Sequence, residues 1–93
     1  MIACEGNRCT VAGPITLEGV VRLLGEGNRL FPGPLATVDL AGVTEVDSSA
    51  LSLLLEWRRE AARSGRQIRF LNLPVNLQSL AKLYGVTELL GGE

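Results

Sequence analysis

Histidine is absent from this 93-residue chain, cysteine occurs twice, and aromatic side chains make up only 4% of the sequence. Without histidine, the commonest general base and metal ligand is missing, and two cysteines alone do not make a metal-binding set. No phosphate-binding Gly-Lys-Ser motif occurs, and Gly25 and Gly27 lack the rest of a dinucleotide-binding fingerprint. The sequence therefore predicts a protein that holds no metal or cofactor and is not an enzyme.

Long apolar runs and an excess of charge are also missing. No apolar stretch approaches the roughly 18 residues of a membrane-spanning helix, and the segment 1–5 lacks the charged-then-apolar order of a signal peptide. The net charge of −1 gives the chain no general attraction to nucleic acid or to anionic membranes. We therefore expect a cytoplasmic protein that binds no nucleic acid and does not insert directly into a membrane.

The residues that are present favour one compact α/β domain over residues 1–93. Hydrophobic residues, mostly aliphatic, make up 46% of the chain, enough to build one core. The first element is predicted to be a hairpin of strands 2–5 and 8–12, with Gly6 and Asn7 as its two-residue turn. This spacing places Cys4 opposite Cys9. In a reducing compartment the pair is interpreted as two buried thiols, and a redox switch is the alternative.

Strands and helices alternate after the hairpin. Thr16 is placed to cap a first helix. The apolar stripe of that helix is predicted to be Leu17, Val20, Val21 and Leu24. A strand at 35–40 and a loop at 41–46 precede a second helix, and a further strand lies at 67–71. The last helix, 76–84, has its stripe at Leu77, Leu80, Ala81 and Tyr84, and Gly85 ends it with Val86 folding back. This order predicts a mixed sheet whose later strands are parallel and joined by helices.

The segment Asp47-Ser48-Ser49 stands where the second helix begins. The unpaired N–H groups of a helix's first turn stabilise hydroxyl, carboxylate and phosphate oxygens. Ser48 or Ser49 can cap the helix, but Leu51 and Ser52 stand where a capping box would need Glu or Gln. Because one cap uses one hydroxyl, the other is available to a partner or to a kinase.

The apolar face of the second helix is wider than contact with a sheet requires. Leu53 and Trp57 form a shoulder beside the sheet-facing stripe that contains Leu51 and Leu54. Trp57 is either buried beneath the domain's own loops or exposed as an interface anchor. Arginines cluster from the end of this helix into the next strand: Arg58, Arg59, Arg63, Arg66 and Arg69. They form a solvated face or a docking patch for an acidic partner.

The hairpin and three later segments, 13–16, 38–43 and 46–51, together resemble a STAS domain over nearly the whole chain. In that family, which includes the anti-sigma-factor antagonists, an Asp-Ser-Ser/Thr-Gly-Leu loop carries the regulatory phosphorylation site and forms the partner surface. Ala50 replaces the usual glycine here. The segment 80–90 looks like the ending of MlaB-type STAS proteins. Those proteins are small cytoplasmic subunits of the Mla phospholipid-transport ABC complex and dock on its ATPase.

The resemblance implies a non-catalytic subunit associated peripherally with the inner membrane through an ABC ATPase and permease. The partner-binding residues would be Asp47, Ser48, Ser49, Leu53 and Trp57. Ser48 matches a functionally important threonine of MlaB-type proteins, and Ser49 matches the phosphoacceptor of the antagonists, so both are candidate phosphorylation sites. The alternative is an antagonist that binds an anti-sigma factor kinase and is switched by serine phosphorylation. A third interpretation is a small enzyme or ligand carrier with a site near Asp39 and Asp47.

Overall fold

Turn glycines and alternating apolar residues divide the chain into the elements that the computed structural model shows for residues 1–90. The strands are β1 (Ile2–Glu5), β2 (Arg8–Ile15), β3 (Leu35–Val46) and β4 (Gln67–Leu71). The helices are α1 (Val20–Leu30), α2 (Ser48–Arg63) and α3 (Val75–Leu83), and a short 3₁₀ helix follows at Thr87–Leu90. Within this described part, no helix combines the length and the apolar character that crossing a membrane requires.

The strands form one mixed sheet in the order β1-β2-β3-β4. β1 is antiparallel to β2, whereas β2, β3 and β4 are mutually parallel, which confirms the predicted topology. Successive strand residues point to opposite faces. One face is buried against the helices through Ile2, Cys9, Val11, Val38, Leu40 and Phe70. Thr10 and Ala12 on the other face are exposed, so the helices cover only one side of the sheet.

The N-terminal hairpin has the predicted register. Glu5 pairs with Arg8, Cys4 pairs with Cys9, and Gly6 takes the positive φ of 62° that its turn requires. The two cysteines are joined by a disulfide, Cys9 being buried and Cys4 exposed. The interpretation as two buried free thiols is therefore wrong, because directly opposed positions bring the sulfurs within bonding range.

Mild oxidation of the fully reduced protein is expected to form this bridge within one chain, because the hairpin register already brings the two sulfurs together. Thiol titration should then find no free cysteine, and non-reducing gel electrophoresis should show no disulfide-linked dimer. A Cys4→Ser variant treated identically should keep one titratable thiol. Disulfide-linked dimers of the unmodified chain would contradict the paired register.

β3 is longer than predicted. The segment 41–46, expected to be a loop, continues the strand and pairs with the end of β2 through Gly13↔Val43 and Ile15↔Val46. β2 itself extends past Ala12 to Ile15 for the same reason. Pairing between segments distant in sequence thus overrides the local turn preference of Gly13 and Gly42.

The apolar face of α1 also differs from the prediction. Thr16 caps no helix: Gly19 stands at the N-cap without a side-chain hydrogen bond, and Leu23 and Gly27 are the buried positions. Val20 and Leu24 of the predicted stripe are half-buried against the core, whereas Leu17, which precedes the helix, and Val21 are exposed. Within the helix, Leu23 and Gly27 face inward, and the Trp57 ring of α2 occupies the space that a Cβ at Gly27 would fill.

The two glycines of α1 should respond oppositely to alanine. Gly25→Ala meets no atom within 4 Å and should stabilise the domain by about 0.5 to 1 kcal/mol, because alanine favours helix. Gly27→Ala would overlap Trp57 and should destabilise the domain by about 1 to 3 kcal/mol through overpacking. Urea unfolding of the two variants measures the difference. Equal stabilisation by both would mean that Trp57 does not fill the notch.

The remaining helix ends follow the predicted chemistry. Gly65 and Gly85 adopt positive φ angles of 72° and 70°, which suit glycine at a helix C-terminus. Val86 folds back as predicted, its N–H donating to the Ala81 carbonyl at 2.9 Å. Tyr84, placed in the buried stripe of α3, is instead 59% exposed because it follows the last helical residue.

Candidate functional site

The candidate site is centred on Asp47, which stands between β3 and α2. Its Oδ1 accepts the N–H of Ser49 at 2.9 Å and also the Ser49 hydroxyl, while its Oδ2 accepts the N–H of Leu17 at 2.9 Å. Asp47 is therefore the N-cap of α2. The prediction that Ser48 or Ser49 caps the helix is wrong, since α2 already begins at Ser48 and the Asp47 carboxylate accepts the Ser49 N–H.

These contacts set the electrostatics of the site. Hydrogen bonds from the Ser49 hydroxyl and then from the Leu17 N–H hold the pKa of Asp47 below its usual value. Asp47 therefore stays ionised at neutral pH and complements the positive end of α2. Ser48 is exposed and Ser49 is half-buried, so the two hydroxyls have different surroundings. Ser48 is presented to solvent, whereas Ser49 is held against the carboxylate.

One exposed apolar residue adjoins this segment, although the sequence pattern had placed it in the core. Leu17, whose N–H is bonded to Asp47, leaves 76% of its surface exposed. We call Leu17, Asp47, Ser48 and Ser49 the helix-start surface. Leu17 lies before Val20, the first residue of α1. A later predicted helix start would have excluded Leu17 from the apolar stripe.

Leu53 and Trp57 do not belong to that surface. Trp57 is only 1% exposed and Leu53 is also buried, so neither can anchor a partner on the folded domain. The Trp57 ring packs edge-on against Phe31, with ring centroids 4.8 Å apart, and its Nε1–H donates to the Leu24 carbonyl at 3.2 Å. Of the two interpretations of Trp57, burial is confirmed and the exposed interface anchor is wrong, because α1, through the Gly27 notch, covers this side of α2 in place of the expected loops.

Asp39 lies on the other face of the sheet and links three strands. Its Oδ2 accepts Arg8 Nη2 at 2.6 Å, and its Oδ1 accepts the Ala41 N–H and Asn72 Nδ2, each at 2.9 Å. Asn72 sits at the end of β4 with φ 57°, a conformation that asparagine tolerates better than most residues. The hydrogen bond from Asn72 is the main reason that the pKa of Asp39 is lowered, and the Ala41 N–H is the next.

Asp39 and Asp47 do not form a joint site. They are separated by eight positions along an extended strand, roughly 26 Å at about 3.3 Å per residue. Each carboxylate is also held by its own donors. The interpretation as an enzyme or carrier site near both residues therefore finds no geometric support. Within residues 1–90, no group of three metal-ligating side chains occurs.

Acid should destabilise the domain through these carboxylates. Both have folded-state pKa values below those of the unfolded chain, so they stabilise the fold above about pH 4 and lose that contribution as pH falls through the lowered values. Asp39→Asn should lower stability at neutral pH and flatten its acid dependence. The exposed Ser52→Asn, which changes no titratable group, is the control and should leave the pH curve of the free energy of unfolding unchanged in shape. An unaltered curve for Asp39→Asn would contradict the assignment.

The five clustered arginines divide into two groups. Arg59 and Arg63 pair with Glu56 and Glu60 one turn earlier on α2, at 3.2 and 2.8 Å. Such exposed pairs contribute little to stability. The other three, Arg58, Arg66 and Arg69, line a concavity at the start of β4. This second group lies at the opposite end of α2 from the helix-start surface.

Comparison with solved structures gives the fold a context. The structure of the anti-sigma factor antagonist SpoIIAA in its unphosphorylated form matches with a TM-score of 0.74 at 13% identity, covering 95% of this chain and 82% of that one. A sulfate transporter family protein from Wolinella succinogenes matches with a TM-score of 0.70 at 18% identity, covering 91% and 70%. A structure titled Mglu matches with a TM-score of 0.63 at 22% identity, covering 81% of this chain but only 20% of Mglu. These likenesses show the fold alone.

No curated protein matches the sequence closely enough to count as a relative. The family described as "Mlab, STAS domain", in contrast, matches residues 4–91. Domains of this kind generally bind or regulate other proteins and are not catalysts. The match spans both cysteines, the Asp47 segment and the C-terminal helices. The chain therefore belongs to the MlaB-like STAS domain family.

Proposed function

We propose that the chain is a non-catalytic regulatory and assembly subunit of a phospholipid-transport ABC complex and binds its cytoplasmic ATPase. The observation that carries this proposal is the helix-start surface. There the exposed Leu17 donates its N–H to Asp47, whose carboxylate also accepts the Ser49 hydroxyl, and the exposed Ser48 lies between Asp47 and Ser49. Apolar side chains next to polar groups that can hydrogen-bond are the usual composition of a protein interface. The MlaB-like family match favours an ABC ATPase as the partner.

The two hydroxyls would have different roles at this interface. Ser48 is exposed at the first turn of α2 and would contact the ATPase directly. The Ser49 hydroxyl donates to Asp47, so it would fix the helix start that presents Ser48. A phosphate on Ser49 would replace this donor with negative charge beside a carboxylate. Phosphorylation would therefore act on the contact surface and leave the core unchanged.

An anti-sigma-factor antagonist is the second candidate. The observation that favours it is the Ser49 hydroxyl, which donates to Asp47 at a helix N-terminus, in a fold shared with the anti-sigma factor antagonist SpoIIAA in its unphosphorylated form. In this case the partner would be a soluble anti-sigma factor kinase, and the phosphate would control its binding.

Affinity purification of the tagged protein from native membranes separates the two candidates. Recovery of an ABC ATPase together with its permease supports the subunit proposal. Recovery of a soluble kinase-like anti-sigma factor supports the alternative and contradicts the first. A Leu17→Asp variant, purified in parallel, should lose either partner if the helix-start surface makes the contact.

A further inference from the structure

β4 is an edge strand whose outer side is open. Within the described residues its one neighbouring strand is β3. The Gln67 N–H donates to the Pro34 carbonyl at 2.8 Å, so Gln67 directs its backbone toward β3. Since successive residues alternate, the N–H and C=O groups of Ile68 and Phe70 point to the open edge. An edge of this kind is a template for an additional strand.

Positive charge is concentrated around this edge. A concavity at the start of β4 is lined by Arg58, Ala62, Arg66, Gln67, Ile68 and Arg69. A second one, toward the end of β4, contains Arg69 and Lys82 together with the apolar Leu73 and Val75. No described residue lining either concavity is acidic. In a chain with a net charge of −1, this cationic surface is a local feature.

The three arginines around β4 have different positions, and a hydrogen bond fixes the guanidinium group of Arg66. Arg66 Nη1 donates to the Phe31 carbonyl at 3.2 Å, which holds its charge beside the first residue of β4. Arg69 lies within β4 and is exposed on the helix-free face of the sheet. Arg58 belongs to α2 and flanks the strand from the helical side. A segment laid along the edge would therefore have cations on both of its faces.

The open backbone groups of β4 and the surrounding positive charges determine which kind of strand can bind at this edge. A second copy of the chain, paired edge to edge, would bring its own arginines against these, and like charges on neighbouring strands repel. An acidic extended segment satisfies both the backbone groups and the charges. We infer that the β4 edge accepts an extended acidic peptide segment of a partner protein as an additional strand. Its carboxylates would face Arg69 on the helix-free side, and its apolar side chains would lie on the helical side, near Val75.

The inference does not depend on the proposed function, because the helix-start surface lies at the other end of α2. That helix has 16 residues, which corresponds to about 24 Å at 1.5 Å per residue. One partner can therefore occupy the β4 edge while another occupies the helix-start surface. Loss of ATPase binding at Leu17 would not affect peptide binding at Arg69.

Fluorescence anisotropy with a labelled alternating Val-Glu peptide tests the inference on the full chain, with an alternating Val-Lys peptide as the control. Arg69→Glu should weaken Val-Glu binding by at least about tenfold. Arg22→Glu makes the same change of charge on α1 and should weaken it by less than about twofold. Amide resonances of Ile68 and Phe70 should shift on titration with the Val-Glu peptide.

Three results would overturn the inference. Equal weakening by Arg69→Glu and Arg22→Glu would indicate general charge attraction. Binding without shifts at Ile68 and Phe70 would indicate a surface ion pair without an added strand. Binding to vesicles of phosphatidylglycerol combined with no binding to the Val-Glu peptide would assign the patch to a membrane. Circular dichroism of both variants confirms that they are folded before they are compared.

Discussion

Trp57→Ala is expected to lower the free energy of unfolding by about 3 to 5 kcal/mol, the largest single-site loss in this domain. The ring is 1% exposed and fills the Gly27 notch, so its removal leaves a cavity between α1 and α2. The Leu24 carbonyl also loses the indole N–H as its donor. For a domain of this size the melting temperature should fall by more than about 12 °C. Thermal unfolding followed by circular dichroism measures this change.

Trp57→Phe is the matched control. Phenylalanine keeps most of the ring contacts but cannot donate to Leu24, so its cost should be smaller, about 1 to 3 kcal/mol. Partner binding should weaken for Trp57→Ala only to the extent that the chain unfolds. A stable, cooperatively melting Trp57→Ala variant that specifically loses its partner would restore Trp57 as an interface residue and contradict its burial.

Leu17→Asp is expected to weaken binding of the ATPase subunit by at least about 1.4 kcal/mol, a tenfold loss, without a change in melting temperature. Leu17 is 76% exposed, so aspartate there costs little within the domain but places a charge in the proposed contact. The matched control is Leu83→Asp on α3. Leu83 is 75% exposed but lies outside the helix-start surface, and this variant should bind normally. Titration against the purified ATPase measures both affinities.

Ser49→Glu should weaken the same contact by a similar amount. The substitution removes the hydroxyl that donates to Asp47 and adds a second carboxylate beside it. Ser48→Glu should act directly, because Ser48 is exposed within the contact. Ser79→Glu, an exposed serine on α3, is the control for added charge. Full affinity in Leu17→Asp, Ser48→Glu and Ser49→Glu would move the interface elsewhere and favour the anti-sigma alternative.

Local features of the chain were predictable. The hairpin register follows from a two-residue turn, which fixes every pair from Glu5↔Arg8 outward. The ends of α2 and α3 follow from Gly65 and Gly85, since glycine takes the left-handed conformation without strain. Strand and helix alternation then determines a mixed sheet. Each of these inferences depends on residues that are close together in sequence.

Features that depend on distant contacts were not predictable. The segment 41–46 is a strand because β2 pairs with it, although Gly42 alone favours a loop. Glycine is a poor helix former, yet the missing side chain of Gly27 is what admits Trp57 from another helix. The candidate site also depends on contacts between residues that are distant in sequence. Asp47 caps α2 and also accepts the Leu17 N–H from 30 residues earlier, so the exposed position of Leu17 depends on the fold.

The one-sided covering of the sheet has a consequence for tolerance to substitution. Along β2, Val11 faces the helices while its neighbours Thr10 and Ala12 face outward. Substitutions should therefore accumulate slowly at positions that face the helices and faster at positions that face outward, so that the rate alternates with a period of two along a strand. The outward positions, apart from the hydrogen-bonded Asp39, can exchange polarity, size or charge without disturbing the core. A domain built in this way can acquire a new chemical face while its buried residues stay the same.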